Sequence, residues 1–149
     1  MILFDTSVVI DARDANSPWH QWAKEQIALA GSTEGAAINS VVIGESGVRV
    51  KQRDNFLEHL SQLGFTLLPL PVSAAIPAAK AYAIYLDRLK AEGKQPASKI
   101  PLGDFFIGAH AEAEGMTLVT RDPARVKTYF PSVTLVTPDS KNPSVQPAT

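Results

Sequence analysis

Fifteen acidic side chains are spread along this chain, and four stand in an unusual context. Asp5 ends the first apolar run, in ILFDTSVVID, with no Lys or Arg nearer than Arg13. Glu45 sits in VVIGESGV, Asp104 in IPLGDFFIGA, and Asp122 directly after an apolar run in TLVTRDP. Each is framed by apolar or small residues, where a carboxylate is costly unless something pairs with it. Helical spacing from Asp104 meets Ile107, Gly108 and Ala111, and from Glu45 it meets Val41 and Val48. Both acids are therefore expected on core-facing stripes. The remaining acids, Asp11 among them, read as solvated surface.

Singly, each of the four has an ordinary explanation. Asp104 could favour its helix N-terminus. Asp122 could cap a short helix beginning at Pro123, Glu45 could be an amphipathic-helix acid, and Asp5 could accept from the turn at Ser7. One shared site explains all four at once. If they converge they repel, by roughly 4 kcal/mol for two unit charges 4 Å apart at an effective dielectric of about 20. Protons or a cation must relieve that repulsion. His20, His59 and His110 are each isolated on helices and are expected at the surface or half-buried. An oxygen-only donor set selects a hard divalent cation, and carboxylates that leave room for water suit Mg2+ or Mn2+. The dominant use of such a site is hydrolysis of a phosphate ester.

Rivals with related chemistry lack their residues. The stretch DTS after the first acid has no second carboxylate, so an aspartyl-phosphate phosphatase is disfavoured. The third apolar run ends LLPLP without the aspartate of a phospho-receiver. GxxxxGK, GxGxxG, GxSxG and the DxDxDG calcium loop are absent. Cysteine is absent too, which removes disulfides, thiol chemistry and Cys-based zinc.

The elements that must position the acids are legible as alternation. Short apolar runs at 1–4, 35–39, 65–70, 116–120 and 133–137 read as strands. Between them lie helical patterns. Ser17 and Pro18 open one that ends at Gly31, Ser40 caps one over 41–52, and Gly64 ends one that begins at Asn55. A long Ala-rich helix is expected over 73–93 and another over 102–115. The alternation predicts an α/β fold with a parallel sheet covered on both faces. Ligands in such folds bind outside the carboxyl ends of the strands, where all four acids can meet.

These motifs and their spacing resemble the PIN domain and, more narrowly, the VapC-type toxins of bacterial toxin–antitoxin pairs. The resemblance runs from Met1 to about Pro138 and rests mainly on MILFDTSVVID and on IPLGDFFIGAHAEAEGMTLVTRDPARVKTYFPSVTLVTP. It implies a three-layer α/β/α sandwich with a five-stranded, parallel, twisted sheet. It implies a Mg2+- or Mn2+-dependent endoribonuclease with Asp5, Glu45, Asp104 and Asp122 as its catalytic acids. The metal would be held chiefly by Asp5 and Asp104. Thr6, Ser7 and Thr120 would orient carboxylates or waters. The chain departs from many relatives in having Gly44 before the second acid. The resemblance further implies a homodimer silenced by a small antitoxin. The Ala- and Tyr-rich helix is a candidate contact face, though core packing is the simpler reading.

Composition bounds the rest. The chain of 149 residues, 45% apolar with a formal net charge of −1, suits one globular domain and advertises no global basic field. Lys90, Lys94 and Lys99 form a local basic loop ahead of Asp104, readable as a rim for an RNA backbone, with Lys99 as a contact, or as a solvated loop; Arg121 is readable as a phosphate contact or as a salt bridge. Residues 1–138 are read as the nuclease domain and 139–149 as a disordered tail. No run suits a membrane span and the N-terminus lacks a basic leader, so a cytoplasmic protein is expected. A non-catalytic PIN-fold module that docks RNA or protein is the alternative, and a DNA-directed nuclease of flap or repair type a more distant one.

Overall fold

Among the described residues, five short strands make one all-parallel sheet: β1 (Ile2–Phe4), β2 (Ala36–Asn39), β3 (Phe65–Leu68), β4 (Thr117–Val119) and β5 (Leu135–Val136), in the order β3-β2-β1-β4-β5. The computed structural model describes residues 1–95 and 102–138. Lys99 and the expected tail over 139–149 lie outside the described residues. Leu3 stands in register with Ala37 on one side and Leu118 on the other. Leu3, Phe4, Ala37, Ile38, Leu118 and Val119 are all buried. Burial on both faces is why these strands read as continuous apolar runs without alternation.

The connections carry α1 (Thr6–Arg13), α2 (His20–Gly31), α3 (Ser40–Gly47), α4 (Phe56–Gln62), α5 (Ala75–Ala91), α6 (Leu102–Glu114) and α7 (Ala124–Tyr129). From β1 the chain steps outward to β2 and β3, then returns past β1 to β4 and β5. Parallel crossovers are right-handed, so the two directions of travel lay their helices on opposite faces of the sheet. The reversal falls between β1 and β4, which makes the gap at their carboxyl ends the natural ligand crevice.

Several element ends differ from the sequence reading. Helix α2 begins at His20 rather than Pro18, because the Ser17 hydroxyl is engaged elsewhere: it donates to Asp11 Oδ1 at 2.8 Å and accepts from Trp19 N–H at 3.1 Å. Helix α3 is capped by Asn39, not Ser40, with the Asn39 side chain accepting from Val42 N–H at 3.0 Å. It stops at Gly47 instead of running on to residue 52, and Val48 beyond it is 72% exposed. The core-facing stripe expected for Glu45 is therefore incorrect: Val42 and Ser46 face inward, while Glu45 is exposed. For α6 the expectation matches, since Ile107, Gly108 and Ala111 are all buried.

Small residues set how closely α6 packs. A Cβ at Gly108 would stand 2.5 Å from the Phe130 ring, a distance no carbon pair tolerates. Ala78 and Ala81 are the buried residues of α5, which packs on α6. Phe105 of α6 meets Tyr82 and Tyr85 of α5 and Tyr129 of α7 with ring centroids 5.1–5.5 Å apart. His110 is buried, not superficial, and shares a 3.0 Å hydrogen bond with the buried Asn39 side chain. That contact ties α6 to the end of β2 and leaves the imidazole with a partner in the core. Burial lowers its pKa, favouring the neutral ring.

Candidate functional site

Asp5 is placed by the sheet itself. Its backbone N–H donates to Val119 O at 3.0 Å, extending the β1–β4 ladder by one residue, and its carbonyl accepts from Val8 and Val9 at the start of α1. The side chain is thereby fixed at the crevice between the two strands. Thr120 follows β4 directly and is fully buried. Its hydroxyl donates to Asp5 Oδ2 at 2.6 Å and accepts from the backbone N–H of Asp122 at 3.1 Å. One hydroxyl thus joins the first and fourth acids across the sheet, using both its donor and an acceptor lone pair.

Glu45 and Asp104 come from helices. Glu45 Oε1 accepts from the Thr6 hydroxyl at 2.6 Å, which ties α3 to the first turn of α1. A Cβ at Gly103 would lie 2.8 Å from Glu45 Oε2, so the absence of a side chain there admits the carboxylate. Gly44 has no such role, since a Cβ built on it meets nothing within 4 Å. Asp104, in the first turn of α6, pairs with the Arg125 guanidinium of α7.

All four acids line one cleft of about 350 Å³, together with Thr6, Ser7, Arg49, Arg121 and Arg125. The electrostatics bear on Asp5 most. Its pKa is raised from 3.8 to about 6, first because burial strips water from the charged form and further because Asp104 and Glu45 repel it; the hydrogen bond from Thr120 offsets part of this. A carboxylate in that position gains from a nearby cation. Among the described residues, no three His, Cys, Asp or Glu side chains stand in a preformed metal-binding cluster. Thr6 holds Glu45 by a hydrogen bond, and Arg125 pairs with Asp104.

The donor set nonetheless suits a hard divalent ion. Its members are carboxylate oxygens with hydroxyls beside them, and among the described residues no nitrogen or sulfur ligand lines the cleft. The buried Ser7 hydroxyl makes no hydrogen bond among the described residues, so its polar valence is open at the same place.

One outcome differs from the sequence reading. Asp11 is only 3% exposed instead of solvated. It lies 2.5 Å from Arg121 Nε, a close ion pair whose angle falls short of an aligned hydrogen bond, and it also accepts from Ser17. Arg121 therefore braces the β4–α7 loop against α1 while bordering the cleft. Arg49 and Arg125 carry no sequence expectation. The signal for Asp11 was available, because VVIDA frames it with apolar residues as ILFDT frames Asp5. Nothing in the sequence pattern marks Arg125, whose importance comes from where α7 lands.

The PIN domain family model matches residues 2–130. Among solved structures, the chain is similar to VapBC2 from Rickettsia felis bound to a promoter DNA fragment, at 20% identity and a TM-score of 0.62, covering 93% of this chain and 100% of that one. It is similar to DNA-bound VapBC from Salmonella typhimurium at 19% identity and 0.61, covering 92% and 98%. It is also similar to FitAcB from Neisseria gonorrhoeae at 23% identity and 0.55, covering 97% and 99%. No curated protein matches the sequence.

Proposed function

Because the chain belongs to the PIN domain family, we propose that it is a Mg2+- or Mn2+-dependent endoribonuclease of VapC type, the toxin of a toxin–antitoxin pair. The observation that carries this reading is Asp5: a desolvated carboxylate, pushed up to about 6 by burial and by Asp104 and Glu45, at the crevice between β1 and β4. An arrangement that holds like charges together at a net cost is explained by a cation that it binds. Asp5 and Asp104 would hold the ion, with Glu45 and Asp122 completing the site directly or through water. When bound, such an ion polarises the scissile phosphate and lowers the pKa of water.

The chain's own residues have separate tasks. Thr120 aims Asp5 and fixes the backbone of Asp122. Thr6 holds Glu45 on the cleft wall. The open Ser7 hydroxyl can receive or donate to a water. Arg49 and Arg121 border the cleft and can offset the phosphate charge that the acids repel. Lys90 and Lys94 stand at the end of α5 and just past it, and Lys94 pairs with Glu92. An antitoxin partner is suggested by the solved neighbours, which include VapBC and a toxin–antitoxin complex. Homodimerisation and action in the cytoplasm belong to the same proposal. Among the described residues no helix is long and apolar enough to cross a membrane.

The test is cleavage of RNA by the full chain in Mg2+ or Mn2+, against the same reaction in chelator. Activity is expected with metal, absent with chelator, and absent in folded Asp5→Asn and Asp104→Asn. Full activity in both variants would refute the assignment. Growth arrest on expression, relieved by a short neighbouring reading frame, tests the toxin role separately. The second reading, a non-catalytic module, draws on the Asp104–Arg125 pair, which occupies one expected ligand. RNA binding that is indifferent to both chelator and the Asp5→Asn change would favour it.

A further inference from the structure

Arg125 is held in two ways at once. Its Nη1 donates to Asp104 Oδ2, and its guanidinium lies over the rings of Tyr85 and Phe105, 5.5 and 5.6 Å from their centroids. The rings belong to the tight aromatic group between α5, α6 and α7, so the shelf under Arg125 is rigid. The ion pair is not: the side chains of Arg125 and Asp104 are 33% and 46% exposed, which lets water compete for it. A guanidinium stacked on aromatics keeps its place when one hydrogen-bonded partner leaves.

We propose that Arg125 is the built-in counter-ion of Asp104, which gives up this partner to the divalent cation and then presents its freed Nη1 to a phosphate of the RNA. The inference rests on the nuclease reading above. Without metal, the guanidinium offsets part of the Asp104 charge beside the other acids. With metal, Asp104 no longer needs it, and the cleft contains a planar donor fork with no carboxylate partner. Guanidinium is suited to that second position because its fork matches two phosphate oxygens. Lys would match neither the ring stacking nor the fork. Arg121, in contrast, is committed to the buried Asp11 and is not free to make this exchange.

Two measurements on the full chain move in opposite directions if this is right. Calorimetric titration with Mn2+ alone, in the absence of RNA, is expected to show binding that tightens about two- to fivefold in Arg125→Gln, because a competitor for Asp104 is gone. At saturating Mn2+, KM for an RNA oligonucleotide is expected to rise about tenfold or more in the same variant, because a charged phosphate contact is lost. Arg125→Lys is expected to rescue less than half of the KM change. Failure of wild type to bind Mn2+, or equal binding in Asp5→Asn, overturns the nuclease reading and this inference with it. Asp5-dependent Mn2+ binding that is unchanged or weaker in Arg125→Gln overturns the exchange alone. An unfolded Arg125→Gln leaves a wild-type test: titration with Mg2+ should shift the Arg125 Nε–Hε NMR resonance, identified by its loss in Arg125→Lys. A resonance that stays fixed while Mg2+ binds refutes the proposal.

Discussion

Replacing Asp5 with Asn should make the metal-free protein more stable near neutral pH while removing its proposed activity. The folded-state pKa is about 6 against 3.8 for an unperturbed carboxyl. A raised carboxyl pKa adds stability fully below the unfolded value, and that contribution is lost as pH rises through the folded value. Between 3.8 and about 6 the folded chain binds the extra proton, so stability falls with rising pH across that window. Above it, ionised Asp5 costs the fold about 3 kcal/mol, at about 1.4 kcal/mol per pKa unit. Asn keeps a carbonyl oxygen for the Thr120 hydroxyl and carries no charge. The variant should therefore gain up to about 3 kcal/mol near pH 7.5, about 1 kcal/mol near pH 4.5, and almost nothing near pH 3.

The assay is urea unfolding of wild type and Asp5→Asn in chelator at those pH values, with far-UV circular dichroism as the probe. Comparing the two proteins at each pH cancels the titration of the other carboxylates. Added Mn2+ should reverse the order, because only wild type is expected to bind it and binding stabilises the folded state. A difference that is absent near pH 7.5, or one that does not shrink on acidification, would mean that the carboxyl is not desolvated and repelled as described.

Three further outcomes follow from the same contacts. Thr120→Val removes the hydroxyl that serves both Asp5 and Asp122 N–H; stability should fall by about 1–3 kcal/mol in urea unfolding, and the acid limb of the pH–rate profile should move to higher pH. Arg121→Ala leaves the carboxylate of Asp11 buried with only Ser17; a loss of about 2–3 kcal/mol is expected, and an Asp11→Asn/Arg121→Ala double variant should recover part of it. Gly103→Ala should leave the fold intact yet displace Glu45, lowering the rate of RNA cleavage with little change in unfolding midpoint, because the clash is with a movable side-chain end. An unchanged rate would mean that the position of Glu45 is immaterial.

The order of strands and helices was legible because the physics behind it is local. Runs such as ILF and AAI are apolar throughout since their sheet is covered on both faces, and Gly64, Gly93 and Gly115 end helices at positive φ where other residues are strained. The unusual sequence setting of Asp5, Glu45, Asp104 and Asp122 was legible too, although Glu45 and Asp122 prove to be exposed. Element ends were less so: Ser17 and Ser40 look like caps, but the Ser17 hydroxyl is drawn to Asp11 and Asn39 reaches Val42 first. The burial of Asp11 and His110 depends on Arg121 and Asn39, partners 110 and 71 positions away along the chain.

What the sequence determined alone is therefore an alternating α/β chain with four acids set among apolar or small sequence neighbours, because backbone propensity and hydrophobic period are properties of a residue and its near neighbours. What only the tertiary structure decided is their meeting. The return of the chain past β1 to β4 brings Thr120 onto Asp5, and the landing of α7 brings Arg125 onto Asp104. Electrostatic energy depends on distance through space, which spacing along a chain does not fix.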